Sequence, residues 1–253
     1  MAQILNNVAF IPEKNIEKIV APEIEGEWLY SKYLEGNPLP EQDYSHSLFN
    51  NWIVKNLIIG GPFPGKDGVN YKTDEEVRQN LKDIINSGVD TFVCLQKEIS
   101  PQDGTVGAVS KNFEWAFPGF CNYSYYLREM YPDARFNYLH FPVADNQPVG
   151  MNVLYFSLTQ ITEKLARGHK IFIHCAGGHG RTGIYATILI GLIEGCSTPE
   201  AFKRNQHRHD ARKTLDGRQK NTPLSPATKA QRKVAEDFLR GVGSLRPKST
   251  VHK

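Results

Sequence analysis

The chain has 253 residues, enough for one large domain or two small ones around a sizeable core. Its 40% hydrophobic and 23% charged residues are ordinary for a soluble globular protein, and no run approaches the roughly 20 apolar residues that cross a bilayer. The net charge of +3 is too small to point to nucleic acid, and none is expected as a partner. The opening stretch, Met1 to Val20, lacks the unbroken apolar block of a signal peptide. The four cysteines, at 94, 121, 175 and 196, show neither a Cys-x-x-Cys pair nor zinc-ligand spacing. Reduced thiols, a cytoplasmic location and no metal or cofactor are the expectations.

Residues 1–50 carry scattered aromatics and prolines without periodicity and read as an extension draped over the domain. From Trp52 the pattern alternates strand and helix. Leu57-Ile58-Ile59 is a short buried strand ending at Gly60-Gly61. Thr73 with Asp74-Glu75-Glu76 is a capping box, followed by the stripe Val77, Leu81, Ile84 and Ile85 closing at Gly88. Thr91 to Leu95 is a second buried strand, and 97–135 reads as a long irregular excursion. Asn137 to Phe141 is a third strand, leading into the loop Pro142-Val-Ala-Asp-Asn-Gln-Pro148. Val153 to Arg167 is helical by spacing, Ile171 to Ile173 is a strand, and Ile184 to Leu192 is an apolar helix. Thr198-Pro199 and Ser225-Pro226 each resemble an N-cap with proline in the first helical position. Gly241 to Lys253 reads as a flexible basic tail, leaving 51–240 as the main domain. This alternation predicts an α/β fold, a central mainly parallel sheet flanked by helices. Sites in such sheets form at the carboxyl ends of the strands, where the loops after Phe141 and Ile173 lie.

The loop His174-Cys-Ala-Gly-Gly-His-Gly-Arg-Thr182 carries the chemistry. A strand delivers Cys175 to a tight turn that opens a helix. Gly177, Gly178 and Gly180 permit backbone N–H groups to turn inward, and with Ala176 and His179 they make an anion-binding nest at a helix N-terminus. That field favours a thiolate nucleophile. Arg181 adds a planar fork matched to two phosphoryl oxygens. These residues resemble the Cys-x5-Arg-[Ser/Thr] motif of the protein tyrosine phosphatase superfamily, with His174, Cys175, Gly178, Arg181 and Thr182 all in place. The style is that of its dual-specificity members.

The resemblance implies a fold, an activity and residue roles. Cys175 would attack phosphorus, Arg181 would clamp the phosphoryl group, and His174 would fix the cysteine from beneath. Thr182 would hydrogen-bond the sulfur, while His179 falls where the family varies and reads as solvent-facing. An acid is implied about thirty residues before the cysteine. Asp145 lies thirty residues ahead, in His140-Phe-Pro-Val-Ala-Asp145, which looks like the family's His-Phe-Pro-x-x-Asp; Asp133 is the fallback. Near the end, Gln231 resembles a glutamine that positions water, although the first glutamine of that pattern is Ala227 here, and a packing role for Gln231 is equally consistent. There is no counterpart of the tyrosine-gripping Lys-Asn-Arg-Tyr loop, and the cradle has no lysine.

The implied function is a protein phosphatase acting on phosphotyrosine and on phosphoserine or phosphothreonine. The alternatives are a phosphoinositide or inositol phosphate phosphatase, and a non-catalytic phosphate-binding pseudophosphatase. Phosphorylated proteins are the expected partners. The positive stretch 203–220, which includes Arg204, Arg208 and Arg212, reads as a surface for acidic or phosphoinositide ligands.

Overall fold

A computed structural model describes residues 43–102, 119–212 and 223–245. The 1–50 extension and the 203–220 stretch therefore lie partly outside the described residues. Eleven elements follow in chain order: β1 (Asn51–Val54), β2 (Ile58–Gly61), α1 (Asp74–Asn86), β3 (Thr91–Gln96), α2 (Tyr123–Met130), β4 (Asn137–Val143), α3 (Met151–Ala166), β5 (Ile171–His174), α4 (Gly180–Ile193), α5 (Thr198–Asp210) and α6 (Lys229–Leu245).

The strands form one sheet in the order β1-β2-β5-β3-β4. Only β1 and β2 pair antiparallel; β2 with β5, β5 with β3, and β3 with β4 are parallel. The expected mainly parallel sheet flanked by helices is what the chain forms. β5 is central, with Gly61 and Cys94 as the pairing partners of His174 on either side. The residue after His174 therefore leaves the sheet at its middle, on the edge where β3 and β4 also end.

Period-two alternation along the central strands separates two apolar layers. Val93, Ile171 and Ile173 face a core with Leu154, Leu158 and Ile161 of α3, Ile184 and Ile188 of α4, and Phe238 of α6. Phe92 and Phe172 face the other side, against Val77, Leu81 and Ile84 of α1 and Tyr126 and Leu127 of α2. Helix α4 is buried on nearly every side, which explains why its sequence is apolar all round rather than striped.

Local signals account for much of this. Thr73 caps α1 as a true capping box: its hydroxyl accepts from the Glu76 N–H, and the Glu76 carboxylate accepts from the Thr73 N–H at 2.9 Å. Such a cap stabilises a helix by about 1 kcal/mol. Gly88, at φ +88°, ends that helix in the left-handed region.

Several expectations need correcting. The segment before Ile58 is a separate strand, β1, turning back onto β2. The excursion 97–135 contains helix α2, capped by the side chain of Asn122. Ser197, not Thr198, is the N-cap of α5, and its side chain makes no capping bond. Ser225 caps nothing, since α6 begins at Lys229. That helix also runs through Gly241 to Leu245, into the stretch read as a flexible tail.

Candidate active site

β5 ends at His174, and the chain turns sharply before entering α4 at Gly180. Three carbonyls of this turn are held from outside. The Phe63 N–H donates to Ala176 O at 3.0 Å, the Arg212 Nη2 to Gly178 O at 2.9 Å, and the Ser225 hydroxyl to His179 O at 3.1 Å. In a trans peptide the C=O and the following N–H point in opposite directions. Fixing these oxygens outward therefore aims the N–H groups of Gly177, His179 and Gly180 to the opposite side. Gly178 sits at φ +73° and His179 at φ −110°, ψ −61°, a left-handed then right-handed pair of the kind that forms an anion nest.

Gly178 has a second reason to lack a side chain. A Cβ there would come within 2.5 Å of the Gly61 carbonyl carbon and oxygen at the end of β2. Gly178→Ala is expected to combine that backbone clash with about 1–2 kcal/mol of left-handed strain. A denaturation midpoint unchanged from wild type would show that the turn is not so constrained.

Cys175 lies at the start of the turn, 3% exposed. Arg181, in the first turn of α4, is 1% exposed although it carries a full charge. Its Nη1 donates to both oxygens of Glu98, at 3.0 and 2.8 Å, and to the Val143 carbonyl at 2.9 Å. Its Nη2 donates to Asp145 Oδ1 at 2.9 Å. Burial works against the charge, but the sulfur of Cys175 and the carboxylates of Glu98 and Asp145 outweigh it and raise the guanidinium's pKa above its ordinary value. Loops following three parallel strands, β3, β4 and β5, thus meet at one guanidinium. Asp145 itself is exposed in the loop after β4, whereas Asp133 lies exposed in a turn before that strand.

His174 is fully buried beneath the turn among Phe63, Tyr123 and Phe172, and its Nε2 is 3.1 Å from the Tyr123 hydroxyl. Burial pushes its pKa down to about 3, so the ring is neutral at physiological pH. Thr182 is buried, and its hydroxyl has no hydrogen-bond partner among the described residues. His179 is not solvent-facing as expected: its Nδ1 lies 2.7 Å from Nε2 of the buried His209, and burial lowers its pKa to about 4. Gln231 is fully buried. Its Nε2 donates to Gln147 O in the loop bearing Asp145, and a Cβ on Gly180 would meet its Oε1 at 2.8 Å. That glutamine thus touches both the turn and the acid-bearing loop.

The positive stretch is only partly a surface. Arg204 pairs with Glu194 and Glu200. Arg208 is buried on Glu194, the Ile53 carbonyl and the face of Tyr44, and Arg212 is buried against Asn51 and Gly178. Two of its arginines, Arg208 and Arg212, thus spend their charge inside the protein, because α5 lays one face against β1 and the turn, while Arg204 stays at the surface; residues 213–220 lie outside the described set.

Residues 68–235, well over half of the chain, match the model of the family described as Swiss Army Knife protein, DSP-PTPase phosphatase domain. The chain belongs to this family. The PTP-SAK match spans Glu98, Asp145, Cys175, Arg181, Arg212 and Gln231. Among curated proteins, this domain is 35% identical over 77 residues to "Putative tyrosine phosphatase 197R" of Invertebrate iridescent virus 6, covering 28% of this chain and 29% of that one. The chain therefore spans under a third of that relative's length. Among solved structures, the active form of Tk-PTP is 18% identical, with 75% of this chain and 95% of that one covered and a TM-score of 0.46. PTPMT1 in complex with PI(5)P is 12% identical, with 78% and 97% covered and a TM-score of 0.49. The human tyrosine phosphatase-like serine/threonine/tyrosine-interacting protein is 15% identical, with 79% and 99% covered and a TM-score of 0.46.

In this PTP-SAK domain the structure brings together every residue singled out in the loop, with Asp145 beside them. It adds Glu98, Ser225 and Arg212, which the sequence reading did not assign to the site. Glu98 had one usable signal, a carboxylate just past the carboxyl end of a buried strand. Ser225 and Arg212 had none, because each acts through a single contact across 30 or more residues.

Proposed function

We propose that this domain hydrolyses phosphomonoesters of proteins, on tyrosine and on serine or threonine, through a cysteinyl-phosphate intermediate on Cys175. The observation that carries the reading is the convergence on Arg181. A buried guanidinium at the mouth of the nest has an acid-loop carboxylate, Asp145, within 2.9 Å.

The steps follow from the residues. The phosphoryl oxygens enter the nest and the Arg181 fork, which take up negative charge as it builds. Cys175 sulfur forms a bond to phosphorus while the bond to the leaving oxygen breaks, and protonated Asp145 delivers its proton to that oxygen. Water then attacks phosphorus, Asp145 takes a proton from it, and the S–P bond breaks to return the thiolate and release inorganic phosphate. The unpartnered Thr182 hydroxyl is available to hydrogen-bond the departing sulfur. Arg181 and the nest amides supply the positive field throughout, so turnover is expected to persist in EDTA. The described cradle carries no lysine and two arginines of the 203–220 stretch, Arg208 and Arg212, point inward, which supports single phosphoryl groups over multiply phosphorylated head groups as substrates.

The test is a series of aryl phosphates of increasing leaving-group pKa. With Asp145→Asn, poor leaving groups are expected to lose about 100-fold or more in kcat and good ones far less, because only the former need a proton. An equal loss across the series would remove Asp145 from the role of acid. Comparing phosphotyrosine and phosphothreonine peptides with phosphoinositides decides the substrate class, and preference for the lipids overturns the protein reading. Phosphate binding with no turnover of any ester would make the domain a binding module.

A further inference from the structure

We infer that Arg212, a buried arginine outside the Cys175–Thr182 motif, is a positioning residue for the phosphate cradle, holding the Gly178–His179 peptide so that its N–H faces the anion. The inference rests on the reading of this loop as a phosphate site. Arg212 lies just past the C-terminal end of α5 and is as buried as the core around it. Its Nε donates to Asn51 Oδ1 on β1 at 2.7 Å, and its Nη2 donates to Gly178 O at 2.9 Å. One planar fork thereby ties the first strand of the sheet to the centre of the turn.

The consequence is geometric. Gly178, at φ +73°, is the residue whose left-handed backbone makes the nest, and glycine alone places little restraint on the peptide that follows. Without a partner for its carbonyl, that peptide is free to rotate and present oxygen, not N–H, to an anion. Ala176 and His179 have their carbonyls held by a backbone N–H and a hydroxyl. Gly178 has a charged donor, the strongest of the three types. The charge also lies where it acts on the site: burial brings the Arg212 pKa down to about 10, still cationic at neutral pH, with Cys175, Tyr71 and Asp210 all drawing it upward.

A buried arginine within α5 itself provides the control. Arg208 holds the Ile53 carbonyl, Glu194 and Tyr44, and no part of the turn. The experiment titrates inorganic phosphate by calorimetry into wild type, Arg212→Met, Arg212→Lys and Arg208→Lys, with circular dichroism melts of each. Arg212→Met is expected to weaken phosphate binding about tenfold, with Arg212→Lys recovering part of it because lysine keeps the charge but not the two-ended fork. Arg208→Lys is expected to lower the melting temperature and leave phosphate affinity as in wild type. If Arg212→Met does not fold, the two lysine variants carry the test. Wild-type affinity in folded Arg212 variants overturns the inference, as does an equal loss in Arg212→Lys and Arg208→Lys, which would mark a merely structural role. Failure of wild type itself to bind phosphate would instead remove the phosphate-site reading on which the inference stands.

Discussion

Cys175→Ser is expected to abolish hydrolysis of aryl phosphates, by about 10⁴-fold or more, while inorganic phosphate still binds within a few-fold of wild type. The two halves of that result separate because different atoms perform them. The nest is made of backbone N–H groups whose carbonyls are anchored by Phe63, Arg212 and Ser225, none of which touches the side chain at 175 through those bonds. Exchanging sulfur for oxygen keeps the side chain's shape nearly unchanged in a site 3% exposed, so the cradle has no reason to collapse. What is lost is nucleophilicity, because a serine hydroxyl remains protonated at neutral pH and, among the described residues, no histidine is hydrogen-bonded to the side chain at 175. His174, the nearest in sequence, faces the opposite apolar layer and is bound to Tyr123. Kinetics on an aryl phosphate together with phosphate calorimetry check this. Retention of even a tenth of wild-type turnover would mean that another group attacks phosphorus.

Arg181→Lys is the second large effect: kcat/KM is expected to fall by about 10³-fold, and here phosphate binding falls with it. A lysine keeps the charge, which isolates geometry as the cause. The guanidinium reaches Glu98, Val143 O and Asp145 at once through two nitrogens. A single ammonium at the end of a flexible stem cannot fill that fork. The substitution also removes the guanidinium's bonds to the Glu98 carboxylate and the Val143 carbonyl, so some loss of stability accompanies the loss of activity. The melting temperature and kcat/KM of the variant should be measured together. Activity within tenfold of wild type would show that charge alone, not the planar fork, holds the phosphoryl group.

How far the sequence reveals this site depends on the distance over which each residue acts. The turn is legible because Cys175, its glycines and Arg181 act within one short segment whose chemistry is local. Asp145 is nominated once that segment is read, since the resemblance implies an acid about thirty residues ahead, in a loop after a strand. Glu98 is not, because its partner lies 83 residues away and the contact exists only when β3 and β5 pair in register. Arg208 and Arg212 are misread for a related reason. A run of positive residues is usually a solvated face, and only the packing of α5 against β1 turns two of them inward. Similar limits apply to the fold. Strand β1 is short and buried on both sides, so it shows no alternation to distinguish it from the strand that follows. Helix α2 hides among aromatics that both helices and strands accept, and its decisive signal, the Asn122 cap, is a single residue. Helices α1 and α3 are legible because Val77, Leu81 and Ile84, and Leu154, Leu158 and Ile161, recur at helical spacing.

The resting partners of Arg181 bear on how the site meets its ligand. Before any phosphate arrives, its Nη2 is already engaged by Asp145, and its Nη1 by Glu98 and the Val143 carbonyl. Phosphate therefore does not fall into a naked positive hole; it must trade places with an anion already there. Of the two carboxylates, Asp145 is the one free to leave, being 47% exposed against 16% for Glu98. In the proposed mechanism, arrival of the substrate and release of the Asp145 carboxylate are then two sides of one ion exchange, and that carboxylate is freed to take up the proton it delivers only when there is an ester present to receive it.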